Sequence, residues 1–117
     1  NMVLDRQGGP NWANNWCIAP VIVDTENDEI YYTPMFYVLQ HFSKFIRPGA
    51  NVVEATCSDE ELMVAAAENI DGSLVVVVFN EGAQARSFDL EIGGEMTTIS
   101  IEAQALQTII KTPKSEA

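Results

Sequence analysis

The chain has 117 residues, enough for one domain, and its 47% hydrophobic content can fill a core. Seventeen acidic residues against six basic ones give a formal net charge of −11. This charge opposes binding to nucleic acid or to anionic membranes, and no apolar run approaches the roughly 18 residues of a membrane span.

The chain starts at Asn1 without an initiator Met, a basic leader or a signal-like apolar segment, so we expect it to be a piece of a longer protein. The sequence leaves a secreted, periplasmic or cytoplasmic location open. Acidic residues are scattered, which is typical of a solubilised surface.

Residues 8–20 form a segment with no helical or strand period. It holds two prolines, two glycines, two tryptophans and three asparagines. Pro and Gly fix the backbone, Trp offers a flat apolar face, and Asn supplies a donor and an acceptor for hydroxyl groups. The composition suits a loop that faces a sugar. The alternative is an ordinary long loop whose tryptophans fill the core.

A helix is predicted from Thr33 to Ile46, after apolar runs at 21–23 and 30–32 that flank an acidic turn. Thr33-Pro34 is a strong helix start, and Pro48-Gly49 stops the helix. Apolar residues recur along it at helical spacing as one broad stripe: Met35, Val38, Leu39, Phe42, Phe45 and Ile46.

The second part of the chain changes to the period of β-strands. Turn signals separate six predicted strands, and Asp71-Gly72 is a strong hairpin signal. The strands are Asn51–Thr56, Leu62–Ala67, Leu74–Phe79, Arg86–Ile92, Met96–Ile101 and Leu106–Lys111. Because residues 75–78 are all Val, we expect a central strand covered on both faces. The predicted fold is mainly β: an antiparallel β-sandwich with one amphipathic helix.

The residues offer no catalytic constellation of their own. Cys17 and Cys57 form no metal-ligand spacing and are predicted to be buried free thiols. Without a partnered Ser or Cys, His41 is better explained as a packed, hydrogen-bonded structural residue than as a catalytic base. We therefore expect no metal site and no cofactor, and either a non-catalytic module or a piece whose catalytic groups lie elsewhere.

Four ordered motifs resemble the C-terminal part of glycoside hydrolase family 30, in its glucosylceramidase-like branch. They are NMVLDRQGGPNW at 1–12, NWCIAPVIVD at 15–24, YTPMFY at 32–37 and HFSKFIRPG at 41–49. The resemblance continues as a pattern through residues 71–80. The Gly-Gly-Pro-Asn-Trp run favours this branch over the family's xylanases.

The resemblance implies a (β/α)₈ barrel with an attached β-sandwich. Residues 1–47 would then be the last strand end, loop and last helix of the barrel, and residues 48–117 the C-terminal strands of the sandwich. The remaining sandwich strand or strands would come from the N-terminal end of the full protein.

The resemblance also implies a retaining β-glycosidase of carbohydrate or glycolipid breakdown. Such enzymes use two glutamates with carboxyls roughly 5–5.5 Å apart. In the family both lie upstream of residue 1, so no catalytic residue is assigned and the chain alone is expected to be inactive. Asn15, Trp16 and Cys17 correspond to positions that line the sugar pocket. Trp16 stands where the family often has Phe, and Cys17 where it often has a small aliphatic residue, which leaves the aglycone preference open.

Two other interpretations remain. The chain could be a free-standing carbohydrate-binding sandwich with Trp12 and Trp16 as its platform, or a purely structural sandwich, which is compatible with the glycosidase. The implied partners are a β-glycoside or glycolipid substrate, the missing barrel and the missing sandwich strand. Without the barrel, the helix stripe would need the sandwich or a second copy of the chain, and residues 1–20 would be poorly ordered or repacked.

Overall fold

The computed structural model describes residues 1–115, which are mainly β-strand with a single helix. The chain divides into two units, Asn1–Gln40 and a second that starts at His41. The elements in chain order are β1 (Val3–Asp5), β2 (Val21–Asp24), β3 (Glu29–Tyr32), α1 (Pro34–Ser43), β4 (Asn51–Val53), β5 (Leu62–Glu68), β6 (Leu74–Asn80), β7 (Arg86–Ile92), β8 (Glu95–Ile101) and β9 (Leu106–Lys111).

The first unit contains a three-stranded sheet in the order β1-β2-β3. β1 and β2 are parallel, with Val3 opposite Val21, whereas β2 and β3 form an antiparallel hairpin. Parallel neighbours cannot be joined by a tight turn, so residues 6–20 form a long connection between them. The apolar runs at 21–23 and 30–32 are thus two strands of one hairpin around the acidic turn.

Helix α1 begins where the Thr33-Pro34 signal predicts but ends at Ser43, three residues before the predicted end. The Phe42 carbonyl accepts hydrogen bonds from the amides of both Phe45 and Ile46, at 3.2 and 2.8 Å. This tightened turn satisfies the carbonyl at the helix end while the chain turns away. The Thr33 hydroxyl does not cap the helix; it donates to the Pro20 carbonyl at 2.9 Å.

The apolar stripe of α1 is only partly covered by the described residues. No helical residue is buried. Met35, Val38, Leu39 and Phe42 expose between 37% and 49% of their surface. The sequence therefore predicts the apolar stripe, and residues 1–115 leave its side chains partly exposed.

The second unit contains a four-stranded antiparallel sheet and a separate β-hairpin, which together form an antiparallel β-sandwich. The sheet has the order β4-β5-β6-β9, and β7 pairs with β8. The six predicted strands are present. β4 is shorter than predicted, because its pairing with β5 ends at Val53 opposite Ala66. The core lies between sheet and hairpin, around Leu62, Val76, Val78 and Ile101.

Strand β6 is the central strand that its run of valines predicts. It pairs with β5 on one side and β9 on the other, and residues 75–78 are all buried. The Asp71-Gly72 turn joins β5 to β6 as predicted, with Gly72 at φ +83°. On β7 half-buried residues, among them Phe88, Leu90 and Ile92, alternate with exposed ones, so one face of the strand packs inward and the other faces solvent.

Polar bonds fasten the end of the helical segment to the sandwich strands within this unit. Thr108 of β9 donates its hydroxyl to the His41 carbonyl at 3.0 Å, so its oxygen accepts the proton of His41 Nδ1 at 2.8 Å. The Asn69 amide donates to the Phe45 carbonyl at 2.8 Å and accepts from the Arg47 amide at 2.9 Å. His41 is thus a hydrogen-bonded structural residue, as the sequence indicates.

Candidate functional site

The connection between β1 and β2, residues 6–20, holds every site residue predicted from the sequence. Its first anchor is Asp5, the last residue of β1. The Asp5 carboxylate accepts the amides of Gln7 and Gly9, at 2.9 and 2.8 Å, and its own amide donates to the Gly9 carbonyl at 2.7 Å. A carboxylate that collects successive backbone amides fixes a tight turn. The loop therefore leaves β1 in a defined direction.

The second anchor is Asn11, whose side chain bonds to both halves of the loop. Its Oδ1 accepts the amides of Ala13 and Asn15, each at 3.1 Å. Its Nδ2 donates to the carbonyls of Gly8 and Asn15, at 3.1 and 2.7 Å. Two donors face the oxygen and two acceptors face the nitrogen, so this network fixes the orientation of the amide.

Close contact between Gly8 and Cys17 joins the incoming and outgoing halves of the loop. The Cys17 amide donates to the Gly8 carbonyl at 3.3 Å. Gly8 has φ +71°, and a Cβ placed there would lie 2.4 Å from the Cys17 nitrogen. Only glycine combines this backbone conformation with so close an approach.

The structure brings Asn15, Trp16 and Cys17 together as consecutive exposed residues of this loop. Trp16 exposes 72% of its surface and Trp12 exposes 98%. Neither tryptophan therefore packs into a core formed by residues 1–115. An exposed indole held on a fixed backbone can offer its face to a sugar ring.

The prediction that both cysteines are buried is wrong, because Cys17 and Cys57 are exposed. Cys17 belongs to a loop whose shape comes from backbone hydrogen bonds rather than from side-chain packing. Cys57 lies beyond the end of β4, where the chain has left the sheet. Cysteine's average preference for burial is overridden at both positions by the surrounding backbone.

Asp24 is not one of the solubilising surface acids that the sequence predicts. It is 2% exposed and closes the β2–β3 hairpin. The Asn27 side chain donates to it at 2.9 Å, the amides of Glu26 and Asn27 also donate, and Arg6 lies 3.4 Å away. These bonds, Asn27 foremost, lower the pKa of Asp24. An open hollow of about 430 Å³ adjoins it.

The second unit has a larger cleft, of about 870 Å³, between the four-stranded sheet and β7. Its lining is apolar on the sheet side, including Val64, Ala66 and Val76. Its borders are residues 53–59 and residues 87–93. Seven consecutive residues of and after β7 line it, including outward-facing ones, so the cleft runs along the edge of β7 that does not pair with β8.

Asp59, one of the residues that line the cleft, belongs to an ion-pair cluster. The Arg86 guanidinium contacts Asp59 at 2.6 Å and also binds Glu61. The Glu61 amide and this guanidinium lower the pKa of Asp59. Across residues 1–115, no three His, Cys, Asp or Glu side chains are grouped so as to hold a metal ion, and no helix is long and apolar enough to cross a membrane.

The loop anchors were missed by the sequence analysis, which assigned the asparagines of residues 8–20 to sugar hydroxyls. The Asn11 side chain instead uses its bonding capacity inside the loop. One signal was available: Asp and Asn commonly bond to the backbone two residues further on, as Asp5 does to Gln7 and Asn11 to Ala13.

Comparison with known proteins identifies both parts of the chain. Residues 1–46 match the glycosyl hydrolase family 30 TIM-barrel domain, and residues 49–109 match the glycosyl hydrolase family 30 β-sandwich domain. The chain is 45% identical over 85 residues to lysosomal acid glucosylceramidase of Mus musculus, and 42% identical over 85 residues to putative glucosylceramidase 1 of Caenorhabditis elegans. These alignments cover 72% and 71% of this chain.

Among solved structures, SrfJ from Salmonella typhimurium superposes with a TM-score of 0.91 at 30% identity, covering 97% of this chain and 26% of SrfJ. The alignments with the mouse and nematode relatives span 16% of each relative's length. Matches to the family's barrel and sandwich models together account for most of the sequence, and the chain therefore belongs to glycosyl hydrolase family 30.

Proposed function

We propose that this chain is part of a retaining β-glycosidase of the glucosylceramidase type, which acts on a β-glucoside or glycolipid. Its residues 1–47 supply the last strand end, a pocket loop and the last helix of the barrel, and residues 48–117 supply sandwich strands. The observation that carries the proposal is the exposed, hydrogen-bonded loop with Trp12 and Trp16, in a segment that matches the family's barrel domain.

In this proposal Asn15, Trp16 and Cys17 contact the sugar. The loop leaves the carboxyl end of β1, and barrel enzymes build their sites from loops at the carboxyl ends of their strands. Both catalytic glutamates lie outside residues 1–117. The chain contributes binding and orientation, whereas the acid/base and the nucleophile come from the rest of the enzyme.

Substitution of Trp16 tests the proposal in the full-length gene product, assayed with p-nitrophenyl β-D-glucopyranoside. Losing a ring that packs on the sugar should lower kcat/KM about tenfold or more in Trp16→Ala. Trp16→Phe should keep most of the activity because a flat ring remains. The chain of residues 1–117 alone should not hydrolyse the substrate.

Glucan binding by residues 1–117 alone, measured for the unchanged chain and for Trp12→Ala and Trp16→Ala, separates the two sugar-binding interpretations. If the loop lines a catalytic pocket, Trp16→Ala reduces turnover by the full-length protein. If the chain is instead a free-standing binding module, residues 1–117 alone bind glucans, and Trp12→Ala and Trp16→Ala both abolish that binding. Hydrolysis by the chain alone, or a full-length protein without glycosidase activity, would contradict the proposal.

We also propose that the cleft along β7 receives a β-strand from outside residues 1–117, as the completing strand of the sandwich. An unpaired strand edge beside an apolar surface is the geometry that strand addition uses. Three carboxylates line the cleft, Glu54, Asp89 and Glu91, and none of them forms an ion pair with a Lys or Arg among residues 1–115. The incoming strand should therefore place apolar residues toward Val64 and Val76, and basic or hydroxyl residues outward.

A further inference from the structure

We propose that Asn11 is a positioning residue, which sets the orientation of the proposed sugar contacts Asn15, Trp16 and Cys17 without touching the sugar itself. The inference rests on the proposed function of the loop. The Asn11 side chain makes four hydrogen bonds to the backbone of a segment that is exposed throughout.

The loop has little apolar packing to hold its shape. Residues 10–18 are all exposed. A segment that buries so little surface must be held by hydrogen bonds, because burial offers nothing against the entropy of ordering the backbone. Among the described residues 1–115, segment 10–18 is held by the four bonds of the Asn11 side chain and by the bond from the Cys17 amide to the Gly8 carbonyl.

Asn11 is the anchor that acts on the proposed contact residues directly. Both its oxygen and its nitrogen bond to the backbone of Asn15, at 3.1 and 2.7 Å. Its nitrogen also bonds to the Gly8 carbonyl, which in turn accepts the Cys17 amide. Trp16 lies between these two tied residues, so the position of its indole depends on the Asn11 amide.

The substitution Asn11→Asp tests the hydrogen bonds of this side chain without changing its size. Aspartate keeps the acceptor that faces the amides of Ala13 and Asn15. It replaces the donor with an oxygen that confronts the carbonyls of Gly8 and Asn15, at the 3.1 and 2.7 Å now occupied by hydrogen bonds. The shape of the side chain is unchanged. Because the new oxygen repels the two carbonyl oxygens, the half of the loop that carries Trp16 should move away from residue 11.

Asn14→Asp is the matched control. Asn14 lies in the same loop, is exposed and makes no side-chain hydrogen bond within residues 1–115. Its φ of +53° is one that Asp tolerates nearly as well as Asn. The control thus adds the same negative charge to the same loop and leaves the Asn11 network intact.

The experiment uses the full-length gene product labelled with 5-fluorotryptophan, with the Trp16 resonance assigned through Trp16→Phe. Asn11→Asp should shift or broaden the Trp16 fluorine signal and raise KM for p-nitrophenyl β-D-glucopyranoside about tenfold, with kcat nearly unchanged, because ground-state and transition-state contacts are lost together. Asn14→Asp should leave both the signal and KM as in the wild type.

The proposal is overturned if Asn11→Asp keeps the wild-type Trp16 signal and KM, or if Asn14→Asp has the same effects. It is also overturned if Asn11→Asp lowers kcat only in proportion to a lower unfolding temperature. A wild-type protein that does not hydrolyse the glucoside contradicts the proposed function alone. The fluorine signal still decides in that case whether Asn11 positions Trp16.

Discussion

Gly8 is the position in the loop where a side chain would be tolerated least. Its φ is +71°, and the nearest atoms to an added Cβ are the Cys17 nitrogen and oxygen, at 2.4 and 2.5 Å. Both are backbone atoms in a segment that is itself hydrogen-bonded to Gly8, so neither can move without breaking the loop.

Gly8→Ala should therefore destabilise the loop by about 1–3 kcal/mol, from backbone strain and the steric clash together. Hydrogen exchange of the Cys17 amide measures this directly, because that amide donates to the Gly8 carbonyl and is released when the loop opens. Gly9→Ala is the control: Gly9 has no positive φ, and its Cβ would meet nothing closer than 3.4 Å. Equal effects of the two substitutions would refute the argument.

His41 and the cysteines show how far single residues can be interpreted without the fold. The absence of a nucleophile near His41 was readable in the sequence, and its structural role is confirmed by the bond to Thr108. Exposure of Cys17 and Cys57 was not readable, because it depends on which segments leave the sheets. Residue type gives an average preference for burial, while the backbone decides the individual case.

Among the elements, α1 has two different surroundings along its length. Its first seven residues belong to the first unit, whereas His41 and the residues after it belong to the second. The boundary between the units thus falls inside the helix, seven residues before the domain boundary proposed at 47/48. The reason is that bonds to Thr108 and Asn69 bind the end of the helical segment to the sandwich.

Asn69→Ala should weaken this attachment. The substitution removes the donor to the Phe45 carbonyl, the acceptor for the Arg47 amide and a 3.1 Å bond to the Ser73 hydroxyl. Leaving partly buried partners unsatisfied should cost about 1–3 kcal/mol of unfolding free energy. Chemical denaturation followed by far-ultraviolet circular dichroism measures the loss.

Asn51→Ala serves as the control for this element. Asn51 is an exposed residue of β4, and its side chain makes no hydrogen bond within residues 1–115. The substitution changes only the intrinsic β-strand propensity at this position. Its effect should stay within a few tenths of a kcal/mol, as for most surface substitutions. If Asn69→Ala lowered the unfolding free energy as little as Asn51→Ala does, the Asn69 hydrogen bonds would not stabilise the attachment of the helix end.

At the scale of the whole molecule, the cleft along β7 is where we propose that a strand from outside residues 1–117 binds. Cys57 lines the cleft and is exposed, so its thiol reports on whether the cleft is filled. In a Cys17→Ser background, Cys57 of residues 1–117 should react readily with a thiol reagent such as dithionitrobenzoate.

In the full-length protein the same thiol should react at least about tenfold more slowly, because a bound strand covers it. Assigning the labelled cysteine by peptide mass spectrometry removes any contribution from cysteines elsewhere. Equal reactivity in the two proteins would contradict the proposed strand. Protection of residues 1–117 that grows with protein concentration would instead indicate that a second copy of the chain fills the cleft.

The sequence by itself determined the element types, the central position of β6, the start of α1 and the family. These depend on local period, on turn residues such as Asp71-Gly72 and on ordered motifs, which are properties of neighbouring residues. Only the tertiary structure decided that Asn11 serves the loop rather than a ligand, that Asp24 is buried, and that β7 has an open edge beside an apolar cleft. The burial of Asp24 and the open edge of β7 depend on groups that are distant in the chain or outside it, which no local pattern encodes. The Asn11 bonds reach only nearby residues, but they depend on a loop conformation that residue type alone does not specify.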